Sequence, residues 1–169
     1  MQYSVGRTIA AGFAGGLAFI LGTFLTFAQF GGSGRGQTGV LFNPATQHPK
    51  VIAVWKEIEP LPRVIENPPV IAIGMILFGL IYAFIYRSVA PAWPSGIGQR
   101  ASRLAAIIWA SAVFSEFMGS FNVLHQPLIL SVVAWSFWTV AAIAEALAIV
   151  YVLERGSRNV QEVHRQTAA

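Results

Sequence analysis

The sequence predicts an all-α integral membrane protein built from four transmembrane helices. Three observations carry that expectation. Apolar residues make up 55% of the 169-residue chain, charged residues only 11%, and the apolar residues gather into four long runs. A soluble domain has about a quarter of its residues charged, and with so few charges it could not cover its core with polar surface. The runs cover 8–28, 70–86, 104–121 and 128–153. At about 1.5 Å of rise per residue they reach roughly 25–39 Å, against a hydrocarbon core of about 30 Å. The chain is therefore read as one four-helix transmembrane domain over 1–169, with a long loop at 29–69 and a polar tail at 154–169.

The first run follows Arg7 and ends in the weak cleavage-like triplet 26–28. It is too long for a signal-peptide core of about 7–15 residues, so an uncleaved helix is expected. Basic residues set the orientation, because short cytoplasmic loops collect lysine and arginine. With the N-terminus inside, the inner side holds Arg7, Arg87, Arg100, Arg103, Arg155, Arg158 and Arg165. The outer side holds Arg35, Lys50, Lys56 and Arg63. Both termini are expected in the cytoplasm, in a multi-pass protein of the bacterial inner (plasma) membrane. The net charge of +4 then acts as an orientation signal beside anionic lipid and not as a nucleic-acid footprint.

The long outer loop opens on Gly31, Gly32, Gly34, Gly36 and Gly39. Pro49 then suits the first turn of a short helix, and Val51, Trp55 and Ile58 recur at helical spacing. That pattern predicts an amphipathic helix at the membrane interface, with Trp55 at headgroup level; Trp93, in the Pro-rich inner link 91–94, is a second candidate anchor. In the first helix, Gly12 and Gly16 are four residues apart, a spacing that lets helices approach closely in lipid. It serves packing within the bundle or a homo-oligomer.

Composition excludes much chemistry. The chain lacks cysteine and aspartate, so disulfides, thiolate nucleophiles, thiolate-bound metal and iron–sulfur clusters are out. His48, His125 and His164 lie outside the strongly apolar runs, which disfavours a bis-histidine haem. There is no phosphate-binding glycine motif and no H-E-x-x-H. No catalytic set, cofactor or metal site is expected.

Two acidic residues fall inside the runs, Glu116 and Glu145, and an acid in the hydrocarbon core is a functional candidate by default. Their settings repeat: Ala105, Trp109, Ala112 and Glu116 match Ala134, Trp138, Ala141 and Glu145 at an offset of 29. This is either a small inverted repeat, as in transporters, or coincidence in an alanine-rich chain. Hairpin geometry separates the two carboxyls by roughly 12 Å in depth, too far to share a proton or a metal. Glu145 lies near the inner boundary, where Arg100 or Arg103 is its expected partner. Glu116 is expected on the small-residue seam inside the bundle, with Asn122 and His125 further out.

The functional expectations follow. The leading one is a non-catalytic structural or accessory subunit of a larger membrane assembly, whose partners are lipids and other subunits. The alternative is a small proton- or cation-coupled carrier using Glu116, with Glu145 in support. A second alternative is a binder of a lipophilic quinone, pigment or lipid.

Overall fold

The computed structural model of the chain describes residues 3–34 and 36–167, with side chains through residue 155. The side chains of Arg35, Arg158, His164 and Arg165 lie outside that set. The described residues form helices and loops without strands. Helix α1 (Val5–Thr23) starts at Ser4, whose Oγ accepts from the Arg7 N–H at 3.3 Å. It continues through wide π-type turns over Phe24–Phe30. Threonine hydroxyls account for that widening: Thr23 Oγ1 donates to the Phe19 carbonyl (3.0 Å) and Thr26 Oγ1 to the Gly22 carbonyl (2.7 Å). Such back-bonding competes with the i→i−4 ladder and loosens the helix.

The long loop contains two short helices, α2 (Pro49–Ile52) and α3 (Arg63–Glu66). Helix α4 (Pro68–Val89) opens with two prolines in its first turn, where no amide partner is lost. It runs into a 3₁₀ turn over Ala90–Ala92 that contains Pro91. Helix α5 (Ile97–Glu116) follows Gly96, held at φ 137, and also widens into π-type turns over Phe117–Val123. Helix α6 (Leu128–Thr167) is 40 residues long. With their flanking turns, α1, α4, α5 and α6 supply four stretches long and apolar enough to cross a membrane: Val5–Phe30, Pro68–Ala92, Ile97–Val123 and Leu128–Arg155. Each is longer than its apolar run, because flanking residues such as Arg7 and Arg100 are helical too. Hydropathy marks the apolar slab, not the end of the backbone hydrogen bonding.

The four long helices pack in the order α4–α1–α6–α5, with α1 against both α4 and α6. Glycines make this possible. A Cβ on Gly12 would lie 2.7 Å from the Leu80 Cα, and one on Gly16 2.7 Å from the Ile76 Cα, both on α4. On the other side, a Cβ on Gly15 would lie 2.5 Å from Ile149 Cγ1 and one on Gly22 2.8 Å from the Ala141 Cα, both on α6. The G-x-x-x-G spacing of α1 is thus used within the chain, against α4. Helices α4 and α5 meet more sparsely, through Tyr82 Oη donating to Ser111 Oγ at 2.7 Å.

The start of α1, the end of the α6 span near Glu154 and the α4–α5 link share one end, the terminal end. The opposite, loop end is capped by the long loop. There Leu41, Phe42 and Val51 are buried on Leu130 and Ala134, with Trp55 half-buried beside Phe42 (ring centroids 5.7 Å apart). Val51 and Trp55 of the helical stripe therefore face the bundle. Ile58, 56% exposed, falls off the stripe, because the chain leaves helical geometry there (φ −84, ψ 113).

Gly16→Leu has no space toward α4. Overpacking of this kind costs about 1–3 kcal/mol, so the variant is expected to melt at lower temperature in detergent while its oligomeric mass stays that of the wild type. A changed mass with an unchanged melt would place this glycine face between chains instead.

Candidate functional site

The intramembrane carboxyl that the fold isolates is Glu145. It is wholly buried on α6 opposite Gly15 of α1; a Cβ on that glycine would lie 3.4 Å from Glu145 Cγ. Its neighbours along α6, Ala141, Ala142, Ala146 and Ile149, are equally buried. Neither carboxyl oxygen has a hydrogen-bond partner, and the buried indole N–H groups of Trp135 and Trp138 are unpartnered as well. Phe19 stacks on Trp138 at 5.8 Å and Phe27 packs at 4.6 Å.

The ion pair expected between Glu145 and Arg100 or Arg103 does not form. Arg100 Nη1 instead donates to Glu154 Oε1 at 2.5 Å, nine residues further along α6. Nine residues are two and a half turns, which puts Glu154 on the opposite side of α6 from Glu145. Arg103 is exposed. Glu154 Oε1 also accepts from Tyr86 Oη (2.6 Å) and from Tyr3 Oη. Arg100 is completed by the carbonyls of Pro94 (3.1 Å) and Trp93 (3.4 Å). Trp93 itself is half-buried, edge-on to Tyr86 at 6.0 Å. Burial first, and then the Glu154 carboxylate beside it, push the Tyr3 hydroxyl up from 10.0 to about 12.

Glu116 also departs from expectation. It is half-exposed at the end of α5, where its Oε1 accepts from Gln126 Nε2 at 3.1 Å. Ala105 and Ala112 of its seam are buried as expected, but the wide turns that begin at Phe117 carry the chain off the seam, and Gly119 is exposed. Glu116 and Glu145 have thus exchanged the environments expected for them. The repeated motif does not make them equivalent: Trp109 is 38% exposed and donates to the Trp135 carbonyl at 3.2 Å, whereas Trp138 sits between phenylalanines.

A polar network at the loop end joins elements far apart in sequence. Buried Gln126 donates to Ser131 Oγ (3.1 Å) as well as to Glu116, and Gln47 donates to Gln126 Oε1 (3.3 Å) and to the Leu41 carbonyl (2.8 Å). His125, at φ 59, and Asn122 are exposed on the α5–α6 connection, and the His125 ring is 5.9 Å from that of His48. Lys50 Nζ donates to the Val123 carbonyl at 2.7 Å. Lys56 Nζ donates to the carbonyls of Gly32 (2.7 Å), Gly34 (2.6 Å) and Gln37 (3.2 Å) and lies over the Phe42 ring. Partial burial holds that ammonium below its ordinary pKa. Among the described residues no group of three or more His, Cys, Asp or Glu is placed to hold a metal ion.

Sequence reasoning missed Glu154, Tyr3, Tyr86, Gln126 and Gln47. For Glu154 a signal existed: an acid at the end of an apolar run whose neighbouring helix starts with arginine. The tyrosines and glutamines carry no pattern by themselves.

Four apolar helices of spanning length define the class, a multi-pass membrane protein. No protein-family model, curated protein or solved structure matches the chain.

Removing one member of a buried ion pair costs about 3–5 kcal/mol, so Arg100→Ala is expected to unfold well before the wild type on heating in detergent. Tyr3 binds its proton more tightly in the folded than in the unfolded chain. Its contribution is present in full below pH 10 and is lost as pH rises from 10 to about 12. In a difference titration, the tyrosinate absorbance missing from Tyr3→Phe is expected to appear near the upper value; appearance near 10 would place Tyr3 in water.

Proposed function

We propose that the chain is a small, non-enzymatic, proton-coupled carrier, with Glu145 as its proton-binding group. One observation supports the reading above the others: a carboxyl wholly buried among the spans with both oxygens unpartnered. A buried polar group without hydrogen bonds costs about 1–3 kcal/mol, and an apolar residue would fill the same place at no such cost. A group retained against stability inside a membrane is a candidate for binding something that comes and goes. Glu145 therefore replaces Glu116 as the leading intramembrane site, and Glu116 belongs to the polar network of the loop end.

The orientation follows from the charges. The terminal end carries Arg7, Arg87, Arg100, Arg103 and Arg155, against Lys50, Lys56 and Arg63 at the loop end, which supports cytoplasmic termini. A bacterial inner membrane is the proposed location. Trp93 and the α2 region, with Trp55, lie at the two ends of the bundle and are suited to the interfaces.

The second reading is an accessory subunit of a larger assembly. It is supported by the broad apolar faces of α4 and α5, where Ile73, Leu77, Ile81 and Phe114 are between 54% and 66% exposed. Companion subunits are then the partners that cover those faces alongside lipid.

Purified protein in liposomes with an imposed pH gradient separates the two. The wild type is expected to dissipate the gradient and Glu145→Gln to lose that flux. Glu145→Leu is expected to lose it too while melting at the same or a higher temperature. A wild type without flux that extracts with stoichiometric companions would sink the carrier in favour of the subunit.

A further inference from the structure

The surroundings of Glu145 differ sharply in its two directions along α6. Toward the loop end, positions 131 and 138 stand seven and fourteen residues away. Each step of seven is two turns, so Ser131, Trp138 and Glu145 line one face at intervals of about 10.5 Å. Ser131 is wholly buried and accepts from Gln126 Nε2, and Gln126 in turn reaches half-exposed Glu116. The Trp138 and Trp135 indole N–H groups are unpartnered within this stretch. Helix α1 adds the buried Thr26 hydroxyl, bonded to the Gly22 carbonyl, beside it, since Gly22 abuts Ala141 and Phe27 packs on Trp138. A helical side chain also leans toward the N-terminus of its own helix, which for Glu145 is the loop end.

Toward the terminal end α6 buries no polar side chain before Glu154, and on α1 the buried Thr8 hydroxyl is spent on the Ser4 carbonyl (2.9 Å). Ile149, Val150 and Leu153 are each 0% exposed. They separate Glu145 from the cluster of Glu154, Arg100, Tyr86 and Tyr3 by nine residues of α6, about 13.5 Å of apolar packing. That cluster is internally bonded, with its donors already aimed at Glu154.

Resting on the reading of Glu145 as the proton site of a carrier, we infer that in this conformation the site exchanges its proton with the loop-end side of the membrane, along the face marked by Trp138, Ser131 and Gln126. It reaches the terminal side only after the helices rearrange. The Glu145 O–H bond breaks, the proton passes through water and the Ser131 hydroxyl, and it joins bulk water beside Glu116. Reprotonation by the reverse path moves nothing across the membrane; reprotonation from the terminal side after the rearrangement completes a turnover. Trp138 is a positioning residue: an indole N–H does not relay a proton, but it anchors a water oxygen, and a bridging water needs such polar partners. The charged and titratable groups at the mouth include Glu116, His48, His125, Lys50 and Lys56. Tyr82 of α4 is buried within the bundle and bonded to Ser111. Those beyond the apolar seal are Arg7, Tyr3, Tyr86, Arg100 and Glu154, with Arg87, Arg103 and Arg155 around them.

The test follows the infrared carboxyl band that Glu145→Gln abolishes, in full-length protein reconstituted into liposomes sorted by orientation. After a pH jump outside the vesicles, the band is expected to respond promptly where the loop end faces out and to lag about tenfold or more where the terminal end does. Losing one hydrogen bond from the path raises the barrier enough to slow exchange by about tenfold. Trp138→Phe, which keeps the ring stacking, is expected to show that slowing in loop-end-out vesicles with an unchanged thermal melt, and Ser131→Ala likewise. Equal response from both sides, or unslowed exchange in both variants, would overturn one-sided access while leaving Glu145 as a proton site. A band that does not titrate at all would overturn the proton site, and one-sided access with it.

Discussion

Close approach of α1 to two neighbours at once is the contact on which the bundle depends. In lipid there is no hydrophobic gain from bringing helices together, so association rests on van der Waals contact and hydrogen bonds. Glycine at 12 and 16 admits the backbone of α4, and glycine at 15 and 22 admits α6. These positions alternate between two faces of one helix, which makes α1 the central element although it comes first in the chain. Helix α5, whose first half is lined by alanines rather than glycines, docks on α6 and barely meets α4.

Around that centre, the polar groups of the two ends are bonded, and the buried side-chain groups left without a partner, Glu145 and the indoles of Trp135 and Trp138, fall in the middle. At the terminal end one carboxylate collects two tyrosines and an arginine drawn from three other segments. This ties Tyr3, α4, α5 and α6 together where the helices would otherwise splay. At the loop end Gln47 and Gln126 bind the long loop to the α5–α6 connection, while Lys56 closes the glycine-rich segment on itself. Against two ends so completely bonded, the unpartnered carboxyl of Glu145 stands out. Stability does not explain it, and the gradient of polarity on either side of it gives it a direction.

The two intramembrane glutamates show how far a face argument reaches. Spacing identified both as candidates and placed both on small-residue seams, which holds for Glu145 and its alanines. It failed for Glu116 because that residue stands where regular α5 ends, at the loop end of the bundle and within reach of Gln126, and the wide turns beyond it carry Gly119 off the seam. It failed for the partner of Glu145 because depth was matched across the hairpin while the side of the helix was not. Arg100 is near enough in depth but reaches the far face of α6, where Glu154 waits.

What the sequence determined by itself is the number of spanning helices and their approximate places. Both follow from composition and local runs, since an apolar stretch of the right length has few alternatives in water or lipid. The helix-packing role of Gly12 and Gly16 was legible as well, though not their partner. Tertiary structure alone decided which helix each glycine meets, that the long loop caps the bundle with Val51 and Trp55 turned inward, and which acid is paired. Those outcomes depend on relative rotation and depth of helices far apart in sequence. No periodicity within one segment encodes them, because each is set by how two surfaces fit.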